Sequence, residues 1–158
     1  MRNLEIKAAV ASLGPVRTRL RQADWYFRVP RGRLKLRVAG AGRDGELIAY
    51  VRPDTTAART SEFQRMPAPD AAGARRLLER MLGLRTCVRK RREVWLYRNA
   101  RIHLDTVDGL GRFVEIEVVV SEGMPQARAL MKELTGVLGI GAKDLVGASY
   151  GELLGGRK

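Results

Sequence analysis

Histidine and cysteine are nearly missing from this chain: its 158 residues hold one of each, His103 and Cys87. A lone cysteine excludes an intramolecular disulfide and a thiolate metal cluster. A lone histidine excludes a multi-histidine metal centre. Cys87 lies in an apolar-then-basic stretch and reads as a small core residue rather than a nucleophile. No apolar run approaches the ~20 residues of a membrane-spanning helix, and the first residues, Met1 to Lys7, lack the apolar stretch of a signal peptide. A cytoplasmic protein without membrane contact is expected. Acids are scarce beside bases, 17 Asp plus Glu against 30 Lys plus Arg, for a net charge of +13. That excess points to a polyanionic partner: nucleic acid, an anionic surface or a small phosphate-rich molecule. Hydrophobic residues make up 45%, enough for a folded core, and the length fits one domain over 1–158.

Hydrophobic periodicity and turn residues divide the chain. Strands are predicted at 3–10, 25–29, 33–39, 46–52, 86–97, 101–107 and 112–120. A short helix is predicted at 14–22, with Pro15 near its first turn. Three prolines mark 53–69 as a long loop. Asp70 and Gly83 bracket a helix over 71–82, and two more helices are predicted at 124–138 and 143–154. Consecutive strands joined by short turns pair antiparallel, so the expected class is α+β. The GAGRDG run at 40–45 matches a dinucleotide-loop pattern by letters, but it joins two strands and reads as a hairpin turn.

Residues two apart in a strand share a face. Glu5 and Lys7 therefore lie together, as do Arg33, Lys35 and Arg37; Tyr50 and Arg52; Arg101, His103 and Asp105; and Glu115 and Glu117. Lys90 and Arg92 also share a face, along with Val88 and Val94. For any one strand this describes a solvated face of an ordinary sheet. Across all of them the polar face is almost wholly ionic and carries both signs. If the sheet closes on itself, the charges line a cavity, where they are costly without partners. A triphosphate with a divalent metal supplies both partners: phosphates suit Arg and Lys, and carboxylates suit hard cations. Nucleic-acid binding alone explains the bases but not the inward acids.

The blocks NLEIK at 3–7, YFRVPRGRLKLR at 26–37, YVRPD at 50–54, KRR at 90–92, RIHLDTVDGLGRFVEIE at 101–117 and SYGELL at 149–154 resemble the CYTH superfamily, the triphosphate tunnel metalloenzymes, and within it the class IV adenylyl cyclase-like proteins. The resemblance covers about residues 2–154. It implies an eight-stranded antiparallel β-barrel, a tunnel with a charged interior flanked by helices, acting on a triphosphate with Mg²⁺ or Mn²⁺. By this resemblance Glu5, Glu115, Glu117 and Asp105 are metal ligands. Lys7, Arg33, Lys35, Arg37, Arg52, Lys90 and Arg92 are phosphate ligands, and Asp105, Lys90 and Arg92 are candidates for the catalytic step. The family's first strand reads Glu-x-Glu-x-Lys. Here Asn3 takes the first position and removes one negative charge from the metal side.

Two chemistries fit such a site. A cyclase converts ATP to cyclic AMP and pyrophosphate; a triphosphatase hydrolyses thiamine triphosphate or inorganic tripolyphosphate. The cyclase-like reading is preferred on overall similarity. A non-catalytic module for a triphosphate or RNA is the third reading, with Trp25, Tyr26, Phe27, Trp95 and Tyr97 as stacking groups, although core packing suits these aromatics better. A homodimer is compatible with the sequence. His103 beside Asp105 reads as a structural or ligand-orienting group, Ser149 and Tyr150 as packing for the last helix, and Arg75, Arg76 and Arg80 as a solvated helix face.

Overall fold

The computed structural model describes residues 9–51, 62–121 and 123–155. Strands β1 (Thr18–Phe27), β2 (Arg33–Ala39), β3 (Gly45–Val51) and β4 (Glu62–Ala68) precede helix α1 (Ala71–Leu82). Then come β5 (Leu84–Tyr97), β6 (Ala100–Val107), β7 (Gly111–Val118), helix α2 (Met124–Val137), a 3-10 turn at Ala142–Asp144 and helix α3 (Tyr150–Gly155). The seven strands form one sheet in the order β4-β3-β2-β1-β5-β6-β7. The class is α+β, and the sheet is antiparallel, with Asp24 opposite Arg37, Tyr26 opposite Lys35 and Arg33 opposite Tyr50. The order begins at β4 and ends at β7, so these seven strands do not close into an eight-stranded barrel. Of the strand expected at 3–10, residues 3–8 lie outside the described residues, while residues 9 and 10 are helical.

Three expectations are corrected. The stretch 14–22 is not a helix: β1 begins at Thr18, and Gln22 pairs with Ala39. Sheet pairing overrides the helix-forming Arg, Leu and Gln side chains. The loop expected at 53–69 contains β4 over 62–68. Pro67 is tolerated there because β4 is the last strand in the order, and proline is confined to such positions. The helix expected at 143–154 is a 3-10 turn and, after an interval, the short α3. Ser149 and Glu152 start α3 as a reciprocal cap. The Ser149 N–H donates to Glu152 Oε2 at 2.8 Å, and the Glu152 N–H donates to Ser149 Oγ at 3.3 Å.

Helix α1 matches its expected limits. The Asp70 carboxylate accepts from the Gly73 N–H at 2.9 Å, and Gly83, with φ of 78°, ends the helix.

The described residues fall into two compact units. One gathers the residues up to Arg19 with 91–106 and 111–145; the other gathers Leu20 onward to Lys90, with 107–110 and the segment from Val146. In the first, α2 and residues 9–12 cover an apolar cluster that includes Val10, Trp95, Ile102, Leu130 and Leu134. In the second, α1 packs Ala71, Leu78 and Leu82 against Phe27, Leu36 and Ala68. The approach is close: a Cβ on Gly45 would sit 2.9 Å from the Ala71 Cβ and 2.9 Å from the Arg37 carbonyl oxygen. Glycine at the start of β3 therefore lets α1 seat on the sheet. Among the described residues no helix is long and apolar enough to cross a membrane.

Candidate functional site

In the second unit the ionic face is built around a carboxylate that the sequence reading left out. Asp24, in β1, is 2% exposed. Its neighbour across the β1–β2 pair, Arg37, grips it with two bonds, Nε to Oδ1 at 2.7 Å and Nη2 to Oδ2 at 2.8 Å. The Lys35 Nζ reaches the same Oδ2 at 2.9 Å. Burial works to raise the Asp24 pKa, but the Arg37 hydrogen bond and the charges of Lys35, Arg37 and Lys90 hold it far below the usual carboxylate range.

Aromatic rings sheathe the cations. Lys35 lies 5.5 Å from the Tyr26 ring centre and 5.9 Å from that of Tyr50, Arg33 lies 5.8 Å from Tyr50, and Lys90 lies 5.0 Å from Tyr150. The Arg33 Nη2 donates to Glu152 Oε1 at 2.6 Å. Burial raises the Glu152 carboxyl, but bonds from the Ser149 backbone, Arg33 and the Ser149 hydroxyl outweigh it and bring the carboxyl down to about 2. The stability that these bonds contribute is present above the ordinary value of 4.5 and is lost as the pH falls toward 2.

Lys35 behaves oppositely. Burial, helped by Arg37 and Lys90 and opposed by Asp24, pushes it down to about 8. Its charge is a cost to the fold below that pH, relieved as the pH rises from 8 toward 10.5. The same titration removes a charge from any bound anion. Metal-free affinity for tripolyphosphate, measured by calorimetry, is therefore expected to fall as the pH rises through 8, relative to a Lys35→Arg variant whose guanidinium stays charged. Parallel pH profiles for the two proteins would remove Lys35 from the phosphate site.

The first unit carries a second ionic cluster. Arg92, 6% exposed, donates from Nε and Nη2 to the two oxygens of Asp105, both at 2.7 Å, and from Nη2 to Glu115 Oε2 at 2.6 Å. Asp105 is 1% exposed, whereas the Glu115 side chain is half exposed. His103 is buried, and its Nδ1 makes no hydrogen bond, standing 3.6 Å from Glu115 Oε2. Glu117 faces Arg101 at 3.5 Å.

The structure thus brings Arg33, Lys35, Arg37 and Lys90 onto the charged face of one unit, and Arg92, Asp105, Glu115 and Glu117 onto that of the other. Glu5, Lys7 and Arg52, with Asn3, lie outside the described residues. Among the described residues no group of three or more His, Cys, Asp or Glu is placed to hold a metal. The donor chemistry of β7 still fits one. Glu115 and Glu117, two positions apart and each partly open to solvent, carry the hard carboxylate ligands that Mg²⁺ and Mn²⁺ take, with Arg92 and Arg101 as their present partners.

Sequence reasoning missed Asp24 and the Glu152 ion pair, and it named Tyr26, Tyr50 and Tyr150 without foreseeing their place beside Arg33, Lys35 and Lys90. The alternation Gln22-x-Asp24-x-Tyr26 and the Ser149-x-x-Glu152 spacing were the signals that marked them. Of the other singled-out residues, Tyr26, Phe27 and Trp95 are core, and Cys87 is half-buried, its thiol pushed up by burial.

The profile of the CYTH domain matches residues 1–150. The chain belongs to the CYTH family. Solved structures of the same fold include the PH1012 protein of Pyrococcus horikoshii, 23% identical, with 96% of this chain and 93% of that one covered at a TM-score of 0.86. A conserved hypothetical protein of Pyrococcus furiosus is 22% identical, with 95% and 93% covered at 0.83. A candidate adenylate cyclase of Vibrio parahaemolyticus is 18% identical, with 96% and 91% covered at 0.73. At these identities the likeness establishes the CYTH fold alone. No curated protein matches the sequence.

Proposed function

We propose that this CYTH protein binds and processes a small triphosphate with a divalent metal, as a single domain of the tunnel type that its family resemblance implies. The carrying observation is the gathering of buried Lys35 and Lys90 and part-buried Arg37 around Asp24, where burial first, and the charges of Arg37 and Lys90 after it, push Lys35 down to about 8. An incoming polyphosphate offsets both that repulsion and the loss of hydration, so the cluster gains from the ligand. Arg33, Arg92, Lys7 and Arg52 join the phosphate-holding set by family resemblance. By the same resemblance Glu115 and Glu117, with Glu5 and Asp105, would hold the Mg²⁺ or Mn²⁺. The bound metal supplies Lewis-acid polarisation of phosphoryl oxygens. The chain's own cations neutralise charge that develops on the phosphates.

ATP is the favoured substrate, with cyclic AMP and pyrophosphate as products, and a fold shared with the Vibrio protein supports that preference. Hydrolysis of thiamine triphosphate or tripolyphosphate is the alternative. Separate incubations with ATP, thiamine triphosphate and tripolyphosphate, each with Mg²⁺ or Mn²⁺, resolve the two: cyclic AMP marks the cyclase and orthophosphate the hydrolase. Glu115→Gln or Glu117→Gln is expected to abolish metal-dependent turnover, while metal-free tripolyphosphate binding persists. Full turnover in either variant would show that β7 does not hold the metal.

A further inference from the structure

Trp25 sits between Asp24 and Tyr26 in β1, so its ring takes the opposite face of the sheet, where it packs with the α1 cluster. A cavity of about 610 Å³ opens there, within the same unit. Trp25 and Val38 form its apolar wall; Arg43, from the β2–β3 loop, and Arg75 and Arg76, from the first turns of α1, form its charged one. That volume lies within the range of small-molecule sites.

The charge around it is one-sided. Asp70 is the single acid in the lining, and its Oδ1 is occupied by the Gly73 N–H. Among the described residues none of the three arginines forms an ion pair. This differs from the ionic face, where Arg33 and Arg37 meet Glu152 and Asp24. The cavity is also held in shape. The Ala71 N–H donates to the Arg43 carbonyl at 3.1 Å, which ties the loop to the helix start, and the Arg75 guanidinium lies 5.6 Å from the Trp25 ring centre. Arg43 and Arg76 are exposed at the rim and can turn to an incoming anion, while the half-buried indole, with Arg75 beside it, offers an edge and a flat surface to an aromatic ring.

We propose that this cavity is a second ligand site, for an aromatic phosphate of the nucleoside monophosphate class, with the ring against Trp25 and the phosphate on Arg43 and Arg76. The site lies on the face away from Lys35 and needs no metal, so it stands or falls independently of triphosphate processing.

Tryptophan fluorescence of the full chain, titrated with adenosine monophosphate in the presence of EDTA, tests it. Saturable quenching is expected in the wild type and in Lys35→Met. Quenching should vanish in Trp25→Phe. Affinity should weaken about tenfold or more in the Arg43→Ala/Arg76→Ala double variant, from the loss of charge-assisted bonds. Adenosine and inorganic phosphate, each carrying half of the ligand's chemistry, should bind more weakly than the intact nucleotide. Absence of saturation would overturn the proposal. So would loss of quenching in Lys35→Met with retention in the arginine variant, which would place the nucleotide on the ionic face. A short single-stranded oligonucleotide binding about tenfold tighter than the mononucleotide would overturn it too, marking the cavity as part of a nucleic-acid track.

Discussion

Asp24→Asn is expected to destabilise the protein by about 3–5 kcal/mol, the range seen when one partner of a buried ion pair is removed. The carboxylate takes three charge-assisted bonds from Lys35 and Arg37. Asparagine keeps its shape but not its charge, so buried Lys35 and part-buried Arg37 lose the anion they were folded around. The second half of the expectation concerns function. An added polyanion can take over part of the lost role, so tripolyphosphate should raise the melting temperature of Asp24→Asn by more than it raises that of the wild type. Chemical unfolding and thermal scans with and without tripolyphosphate measure both. A variant with the wild-type midpoint would mean that Asp24 contributes little to the fold. An equal ligand-induced shift in both proteins would mean that the cluster is not where phosphate binds.

The Arg92–Asp105 pair gives the other large effect. Asp105→Ala should cost about 3–5 kcal/mol, because the Arg92 side chain, 7% exposed, loses both bonds to Asp105 while the bond to half-exposed Glu115 remains. Replacing both partners by apolar residues, Arg92→Met with Asp105→Leu, should recover much of that loss, since a buried pair and a packed apolar pair are often close in free energy. Turnover should not recover, because the replaced groups are the ones proposed to act on substrate. Stability and activity measured on the two single variants and the double form a cycle that separates the roles. Recovery of turnover along with stability would make the pair structural only.

Parts of this architecture were plain in the sequence, and the reasons differ by element. The alternation of RLKLRV made β2 unambiguous, and the Asp70 cap with Gly83 past the end fixed α1 to the residue. The first half of β1 was hidden because Thr18 to Gln22 has helix-compatible side chains; only its place in the sheet, next to β2 and β5, makes it a strand. That error carried a cost, since starting the strand at residue 25 left Asp24 outside any face and its partners looked open to phosphate. Pro67 concealed β4 for a similar reason: its effect depends on where a strand lies in the sheet, which local sequence does not encode. The Lys35, Arg37, Lys90 and Arg92 set was legible because period-2 spacing reports faces. What spacing could not report is that Arg37 and Arg92 are already bidentate to acids of their own face.

The charge of this chain is also split by depth. Among the described residues, arginines such as Arg28, Arg31, Arg89 and Arg91 are exposed, whereas Lys35, Lys90 and Arg92 are buried. At physiological ionic strength exposed charges act over only about 8 Å, and more salt shortens that reach, while interior groups are shielded far less. Rising salt should therefore slow the arrival of an anion more than it hastens its departure. Encounter belongs to the outer arginines and residence to the buried ones, so two different sets of residues set the two rate constants.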